Sequence, residues 1–192
     1  TLNLQPVGLR EIADWVLVVC QPLVGNKSLQ LVNTVPAGLP LAWADEDRLQ
    51  QILYNLVGNA IKFTESGRVE VSASLSADDG PELAADVPTA TASSVTMSVT
   101  DTGIGIPIEA QETIFESFEQ VQGGAHRQYG GLGIGLAISK KLVEFHGSRL
   151  EVVSSEGEGA RFQFALPIQV PTEVTVDAAD VLQLNQAGAP TE

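Results

Sequence analysis

Hydrophobic residues recur with helical spacing in three parts of the chain. Residues 9–24 carry apolar side chains at steps of three and four, which predicts an amphipathic helix that Pro22 bends or ends. The positions expected to face inward there are Leu9, Ile12, Ala13, Val16, Val19, Cys20 and Leu23. Asp45 is a suitable N-cap for a second helix. Its uninterrupted apolar stripe comprises Leu49, Ile52, Leu53, Leu56, Val57, Ala60 and Ile61. A third helix is expected from Gly133 to Phe145, with Ile134, Ile138, Leu142 and Phe145 inward.

Strict alternation of polar and apolar residues predicts strands between these helices. The expected strands cover 28–36, 68–76 and 94–101, with a short one near 40–45 and a final hairpin of 148–155 and 160–167. Residues 77–93 have no periodicity and predict an exposed loop. A short helix follows Pro107, and residues 116–130 are expected to form a lid. This order predicts an α+β fold, a two-layer sandwich with a mixed, mostly antiparallel sheet and helices on one face.

Composition restricts the class of protein further. The 192 residues predict one domain over 1–167, followed by an acidic linker or tail over 168–192 that lacks Lys and Arg. A formal net charge of -14 argues against nucleic acid or an anionic membrane as a partner. The single cysteine, Cys20, sits in an apolar run and is expected to be buried and inert. No apolar run reaches the ~20 residues of a membrane helix, and no signal peptide opens the chain. We expect a cytoplasmic module that is monomeric.

The second predicted helix carries a polar stripe beside its apolar face. Asn55, Asn59 and Lys62 follow one another at steps of four and three. Carboxamide oxygens can ligate Mg²⁺, and the lysine can meet a phosphate. A single helical Asn is more simply a solvated surface residue. Two on one stripe beside a lysine favour a functional role, because Asn is a mediocre helix former.

Two glycine-rich segments could contact an anion. Asp101 precedes Gly103 and Gly105, where its carboxylate could accept a hydrogen bond from an exocyclic amine, although an Asx-turn explains it equally well. The second segment, 130–137, opens the third helix, so its N–H groups predict a phosphate site. It is neither a Walker loop nor a dinucleotide fingerprint.

The remaining basic and histidine residues are weaker candidates. Arg127 could reach a terminal phosphate, but a solvated loop arginine is the simpler interpretation. Lys140 and Lys141 are expected on a solvated helix face. His126 and His146 lack metal-ligand or triad spacing and are expected to be structural or surface residues.

Four segments in order closely resemble the catalytic, ATP-binding domain of sensor histidine kinases. They are DEDRLQQILYNLVGNAIKFT, DTGIGI, FESFEQ and GGLGIGLAISKKLVEFHG, which match the N box, first glycine box, F box and second glycine box of that family. The resemblance covers about residues 4–167. It implies the Bergerat fold, shared with gyrase B, heat-shock chaperone and mismatch-repair ATPases, with ATP and Mg²⁺ as cofactors.

The resemblance also implies roles for individual residues. Asn59, assisted by Asn55, would ligate Mg²⁺, and together with Lys62 and Arg127 they would form the catalytic set. Asp101 would read the adenine amine, and Phe115 and Phe118 would anchor the lid. The implied nucleotide-binding residues are Asn59, Lys62, Phe63, Asp101, Gly103, Gly105, Ile106, Phe115, Phe118, Arg127, Gly131, Leu132, Gly133, Ile134, Gly135 and Leu136.

Two departures from the family pattern bear on the mechanism. Leu132 stands where the family often has threonine, which removes a possible hydrogen bond to a phosphate or to the lid. The dimerisation helices with their phosphoacceptor histidine are missing from these 192 residues. The implied function is therefore binding of Mg-ATP and donation of its γ-phosphoryl group to a histidine on a separate dimerisation domain, with a response-regulator receiver domain downstream. A degenerate nucleotide sensor without phosphotransfer is the alternative, and a hydrolytic ATPase of the gyrase or chaperone type is a third.

Overall fold

The computed structural model describes residues 2–76, 94–111, 113–115 and 135–168. Its α-helices there are α1 (Leu9–Val24), α2 (Glu46–Phe63) and α3 (Gly135–Phe145), and short 3₁₀ turns cover Ile108–Ala110 and Thr113–Phe115. The strands are β1 (Gln5–Val7), β2 (Ser28–Asn33), β3 (Ala42–Ala44), β4 (Ser66–Leu75), β5 (Ser94–Asp101), β6 (Glu151–Ser155) and β7 (Gly159–Pro167).

Five strands form one mixed sheet in the order β2-β4-β5-β7-β6. β2 runs parallel to β4, whereas the other neighbours in this sheet are antiparallel. β1 and β3 form a separate antiparallel pair. One face of β4 is buried through Val69, Val71 and Ala73, while the alternate residues between them are not. The mixed sheet and the helices packed on it confirm the predicted α+β fold.

Helix α2 is the central element of the helical layer, and its sequence explains why. The Asp45 carboxylate accepts a hydrogen bond from the Arg48 backbone N–H at 3.1 Å, as expected of an N-cap. All seven positions of the predicted apolar stripe are buried. The helix ends at Phe63, so the polar stripe of Asn55, Asn59 and Lys62 lies on its second half.

The inward faces of the other two helices were predicted less well. Val19 and Leu23 of α1 are exposed, and the buried face instead includes Leu17 and Val24. In α3, Ile138 and Phe145 are exposed, while Leu142 is buried as predicted. Both helices carry apolar residues around more than one face, so three- and four-residue spacing alone cannot select the side that packs on the sheet. Pro22 lies inside α1, which continues to Val24.

Cys20 and His146 are both buried structural residues, as expected. Burial raises the pKa of the Cys20 thiol to about 11, so the thiol stays protonated near neutral pH. His146 accepts a hydrogen bond from the Asp45 backbone N–H at 3.1 Å and donates from Nδ1 to the Leu142 carbonyl at 2.8 Å. It thereby ties the end of α3 to the start of α2. Within the described ranges, no helix is both long and apolar enough to cross a bilayer.

Candidate nucleotide-binding site

The first half of the candidate site lies where α2 meets the start of α3. Asn55 donates from Nδ2 to the Gly135 carbonyl and to the Ser139 hydroxyl, both at 3.3 Å. These two bonds orient the amide, so that Oδ1 is the atom left to accept or to ligate. A Cβ added to Gly135 would lie 3.9 Å from Asn55 Oδ1, so this carboxamide oxygen borders the first residue of α3.

One turn further along α2, Asn59 and Lys62 are half-buried. The Asn59 side chain makes no hydrogen bond to the part of the chain that the structure describes. The Lys62 ammonium lies 5.0 Å from the centre of the Phe63 ring, which is within cation–π range. The amide and the ammonium are therefore available to a ligand along the second half of the helix.

A lysine from outside the predicted site fixes the end of α2. Lys27 Nζ donates to the carbonyls of Ile61, Lys62 and Thr64 at 2.8, 3.1 and 3.2 Å. It also forms an ion pair with Glu65. Because the last carbonyls of a helix lack intrahelical partners, a cation here satisfies them and complements the helix dipole. Lys27 therefore holds the segment that carries Thr64.

The second half of the candidate site lies at the end of β5. Asp101 is buried there, and its Oδ1 accepts from the Gly103 backbone N–H at 2.8 Å. A Cβ on Gly103 would lie 2.4 Å from the Phe63 carbonyl oxygen, 2.7 Å from Thr64 Oγ1 and 2.9 Å from Asp101 Oδ1. Glycine is required here because the end of α2 and the Asp101 carboxyl approach the backbone too closely for any side chain.

Electrostatics at this end of the site are unusual for a carboxyl group. Burial raises the pKa of Asp101, opposed by the backbone N–H groups of Gly103 and Ala160 and by the nearby Thr64 hydroxyl. The Thr64 hydroxyl is close enough to favour the carboxylate. Its geometry nevertheless gives it no hydrogen-bond partner among the residues that the structure describes, although it is fully buried. The Asp101 carboxyl and the Thr64 hydroxyl thus lie side by side in the interior at the end of β5.

The segment after Asp101 is held in place from both sides. Ile104 donates its N–H to the Phe63 carbonyl at 3.3 Å, and Ile106 donates to Ser154 Oγ at 2.8 Å. Gly105 has a φ of 69°, and a Cβ there would lie 2.0 Å from the Ser155 carbonyl oxygen. The predicted pocket-shaping residues Gly103, Gly105 and Ile106 therefore form a fixed wall between α2 and the β6–β7 turn.

Phe115 and Leu136, both predicted nucleotide-binding residues, are partly buried against the hydrophobic core. The Phe115 ring meets the Phe162 ring edge-on, with centroids 6.2 Å apart, and the Lys140 ammonium lies 5.7 Å from its centre. Lys140 is exposed, as predicted, and Lys141 pairs with Glu144 on the same surface.

The two halves of the site are separated by the length of half a helix. Nine residues from Asn55 to Thr64 correspond to about 13 Å at the helical rise per residue. An elongated ligand could therefore place one end beside Asp101 and the other beside Asn55 and Gly135. Other predicted site residues lie outside the described residues: Phe118, Arg127, Gly131, Leu132, Gly133 and Ile134. The same holds for His126, the loop 77–93, the lid 116–130 and all but the first residue of the tail.

The residues present fit a Mg²⁺–phosphate group bound through amide oxygens. Among the described residues, no group of three or more His, Cys, Asp or Glu side chains could hold a metal. A cation here would therefore take few protein ligands and depend on phosphate oxygens and water, which is the usual behaviour of Mg²⁺. Among the described residues, Asn55 Oδ1 and the Asn59 amide have no hydrogen-bond partner, which suits that arrangement.

Sequence reasoning missed several residues that build this site. The sequence did not indicate a role for Lys27, because this residue lies far from the end of α2 in the chain. Thr64 is the last residue of the segment that matches the N box and could have been found there. Ser154 and Gln111 were also missed: Ser154 Oγ donates to the Gly159 carbonyl at 2.7 Å, and Gln111 Nε2 donates to the Ile106 and Ser154 carbonyls, both at 2.9 Å.

The fold and this site define a nucleotide-binding ATPase domain of the histidine kinase type. The chain belongs to the family of histidine kinase-, DNA gyrase B-, and HSP90-like ATPases, whose family model matches residues 44–170. That range includes α2, the Asp101 pocket and α3.

Named relatives are sensor proteins. The chain is 39% identical over 164 residues to the sensor protein GacS of Pseudomonas syringae, covering 85% of this chain and 17% of GacS. It is 36% identical over 191 residues to the sensory/regulatory protein RpfC of Xanthomonas campestris, covering 92% of this chain and 25% of RpfC. The chain thus spans a quarter or less of the length of these relatives.

Solved structures give the same classification. Full-length ShkA in complex with AMPPNP superposes with a TM-score of 0.72 at 32% identity, over 98% of this chain and 40% of ShkA. The catalytic domain of histidine kinase ThkA gives a TM-score of 0.67 at 27% identity, over 87% of this chain and 97% of that domain. The chain therefore superposes on nearly the whole length of that catalytic domain.

Proposed function

We propose that this domain binds Mg-ATP and donates the γ-phosphoryl group to a histidine on a separate dimerisation domain. The single observation that supports this most is the buried Asp101 carboxyl beside Gly103 and Thr64, at one end of an elongated site in a chain of the histidine kinase-like ATPase family. A buried carboxylate that accepts hydrogen bonds suits the exocyclic amine of adenine. A cytoplasmic setting and a downstream receiver domain are part of the same proposal.

The residues of α2 would act by positioning and charge neutralisation. Asn59 and Asn55 would hold Mg²⁺ through their amide oxygens, and Lys62 would meet the phosphates. When bound, Mg²⁺ supplies charge neutralisation for the phosphoryl oxygens. Asp101 would hold the base, which keeps the phosphate chain directed towards Asn55 and the start of α3. Arg127 and residues 131–134 are proposed to contact the phosphates.

Slow hydrolysis of bound ATP is a consequence of this arrangement. An amide cannot act as a general base, and the Asn55 Nδ2 atom is already donating to Gly135 and Ser139. We therefore expect a steady-state ATPase rate close to background for the purified chain. Rapid turnover, measured as phosphate release, would favour a hydrolytic ATPase instead.

Phosphotransfer is tested by supplying the missing acceptor. The purified chain is mixed with γ-labelled ATP and a histidine-bearing dimerisation domain, and the label on that domain is followed with time. We expect labelling that disappears with Asn59→Ala and when the acceptor histidine is replaced by glutamine. Saturable ATP binding with an unlabelled acceptor would identify the chain as a nucleotide sensor. The absence of any ATP binding would contradict the proposed function altogether.

A further inference from the structure

Helices α1 and α2 lie side by side and leave an open groove between them. Between their first halves this groove has a volume of about 510 Å³. The residues that line it there come from both helices and from the segment before β3, and they include Glu11, Trp15, Leu41, Glu46 and Gln50. Further along, a Cβ added to Gly58 of α2 would lie 4.0 Å from the Leu23 side chain of α1, so the two helices stay adjacent.

Each helix borders the groove with one row of side chains at four-residue steps. The rows are Glu11, Trp15, Val19 and Leu23 on α1 and Glu46, Gln50, Tyr54 and Gly58 on α2. Four-residue rows form ridges on a helix surface, and a groove between two such ridges accepts the ridge of a third helix. From Glu46 to Gly58 the helical rise gives a length of about 18 Å, which is about three turns of such a helix.

Most of this surface is apolar, exposed and uncharged. The large apolar members of the two rows are between 40% and 49% exposed: Trp15, Val19, Leu23 and Tyr54. Residues 15–26 and 49–61 contain no charged side chain, although the formal net charge of the chain is -14. Contiguous exposed apolar side chains bordered by polar ones are typical of a surface that binds a partner.

The end of the groove at the start of both helices is acidic. Glu11 and Glu46 line it, and neither carboxylate forms an ion pair with the residues that the structure describes. Glu46 accepts from two neutral amides, those of Gln5 at 3.4 Å and Gln50 at 3.3 Å. Trp15 lines the same end, and the face of an indole ring attracts a cation. A guanidinium or ammonium group at this end would therefore meet two carboxylates and an aromatic ring.

We propose that this groove is a docking site for an amphipathic helix of a partner protein. The helix has apolar residues along one face and arginine or lysine at the end that meets Glu11 and Glu46. Charge selects this occupant over a second copy of the chain, which brings a further -14, and over residues 169–192, which contain no Lys or Arg. Nucleotide binding is not required, because Asn55 contacts α3 whereas the two rows border α1.

A synthetic helical peptide of about 14 residues is long enough to fill the groove and serves as the probe. It carries leucines along one face and two arginines at one end, and a second peptide carries glutamates in place of the arginines. Fluorescence anisotropy of the labelled peptides measures both dissociation constants at low ionic strength. We expect saturable binding of the arginine peptide and about 10-fold weaker binding of the glutamate peptide.

Matched variants of the chain locate the bound peptide. Leu23→Gln should weaken binding about 3- to 10-fold, because a half-exposed leucine no longer gains apolar burial, and Trp15→Gln should do the same at the other end of the row. Val153→Gln, on an exposed residue of β6, should leave binding unchanged. Glu46→Gln should reduce the preference for the arginine peptide more than Asp47→Asn, which removes a charge from the same helical turn.

Melting temperatures show that each variant is folded, and sedimentation of the chain without peptide gives its oligomeric state. We expect a monomer. A dimer that Leu23→Gln dissociates would assign the groove to a second copy and overturn the docking of a basic helix. No saturable peptide binding, equal affinities for the two peptides, or groove variants that bind like Val153→Gln would overturn it as well.

Discussion

Replacing Lys27 with methionine should loosen the end of α2 and the pocket attached to it. The Lys27 ammonium donates to three main-chain carbonyls at 2.8–3.2 Å, and its side chain is only 18% exposed. Methionine keeps the apolar stem but leaves those carbonyls without their donor. Hydrogen bonds to a charged group contribute about 1.5–3 kcal/mol, and these three share one charge. We therefore expect the free energy of unfolding to fall by about 2–3 kcal/mol.

The ion pair of Lys27 with Glu65 provides the matched control. Glu65 is 66% exposed and lies 3.2 Å from Lys27 Nζ, so solvent screens this pair. Glu65→Gln removes the charge of the partner but keeps the helix cap, and it should cost no more than about 1 kcal/mol.

Urea unfolding followed by circular dichroism measures both variants, and an ATP titration measures the pocket. Lys27→Met should shift the urea midpoint clearly more than Glu65→Gln and should also weaken ATP binding, because Phe63 and Thr64 border Asp101. Equal midpoints for the two variants would refute the reasoning, since the carbonyl bonds would then contribute nothing beyond a surface ion pair.

Three further changes test neighbouring contacts. Gly103→Ala places a Cβ 2.4 Å from the Phe63 carbonyl oxygen and should cost about 1–3 kcal/mol in urea unfolding, whereas Gly58→Ala, with its nearest contact at 4.0 Å, should be neutral or stabilising. Asp45→Ala removes the N-cap of α2 and should cost about 0.5–2 kcal/mol at neutral pH. ATP affinity should fall as the pH is lowered through the raised pKa of Asp101, and the fall should begin at a higher pH than for an ordinary aspartate. An ATP affinity that does not change across the acid range would contradict this.

The lowered pKa of Asp45 makes the stability of the fold depend on pH in the acid range as well. Burial alone would raise this pKa, but the backbone N–H groups of Asn3 and Arg48, together with the charges of Arg48 and His146, lower it overall. A lowered pKa in the folded state stabilises the fold above the unfolded pKa, and this contribution is lost as the pH falls through the folded pKa. Part of the acid unfolding of the chain should therefore disappear in Asp45→Ala.

The spacing of apolar residues predicted an element well where those residues lie on one face of it. The seven apolar positions of α2 all lie on one face of a helix, and polar and apolar residues alternate strictly in β4 and β5. The predicted bounds of these elements are therefore close to the observed ones. β1 was missed because its three residues, Gln5–Val7, include a proline and show no alternation of polar and apolar side chains. The parallel pairing of β2 with β4 follows from the crossover through α2, which strand patterns alone do not specify.

The site was predictable only as far as its residues form local motifs. The N box and the first glycine box contain Asn55, Asn59, Lys62 and Asp101, and their joint role in one site stays a prediction. The contribution of Lys27 depends on a contact across 34 to 37 residues, which no local spacing encodes. Exposure of Ile138 and Phe145 was missed for a related reason, since the facing surface of α2 decides which side of α3 is buried.

Calorimetric titration of Mg-ATP into the purified chain and into Asp101→Ala tests the central claim most directly. We expect saturable binding to the original chain and at least a tenfold loss in Asp101→Ala, about 1.4 kcal/mol, from the loss of a buried charged acceptor. The variant should remain folded, because burial already disfavours the ionised Asp101 carboxyl that it removes. Equal affinities for the two proteins, or no saturable heat from either, would contradict a site in which this carboxylate reads the base.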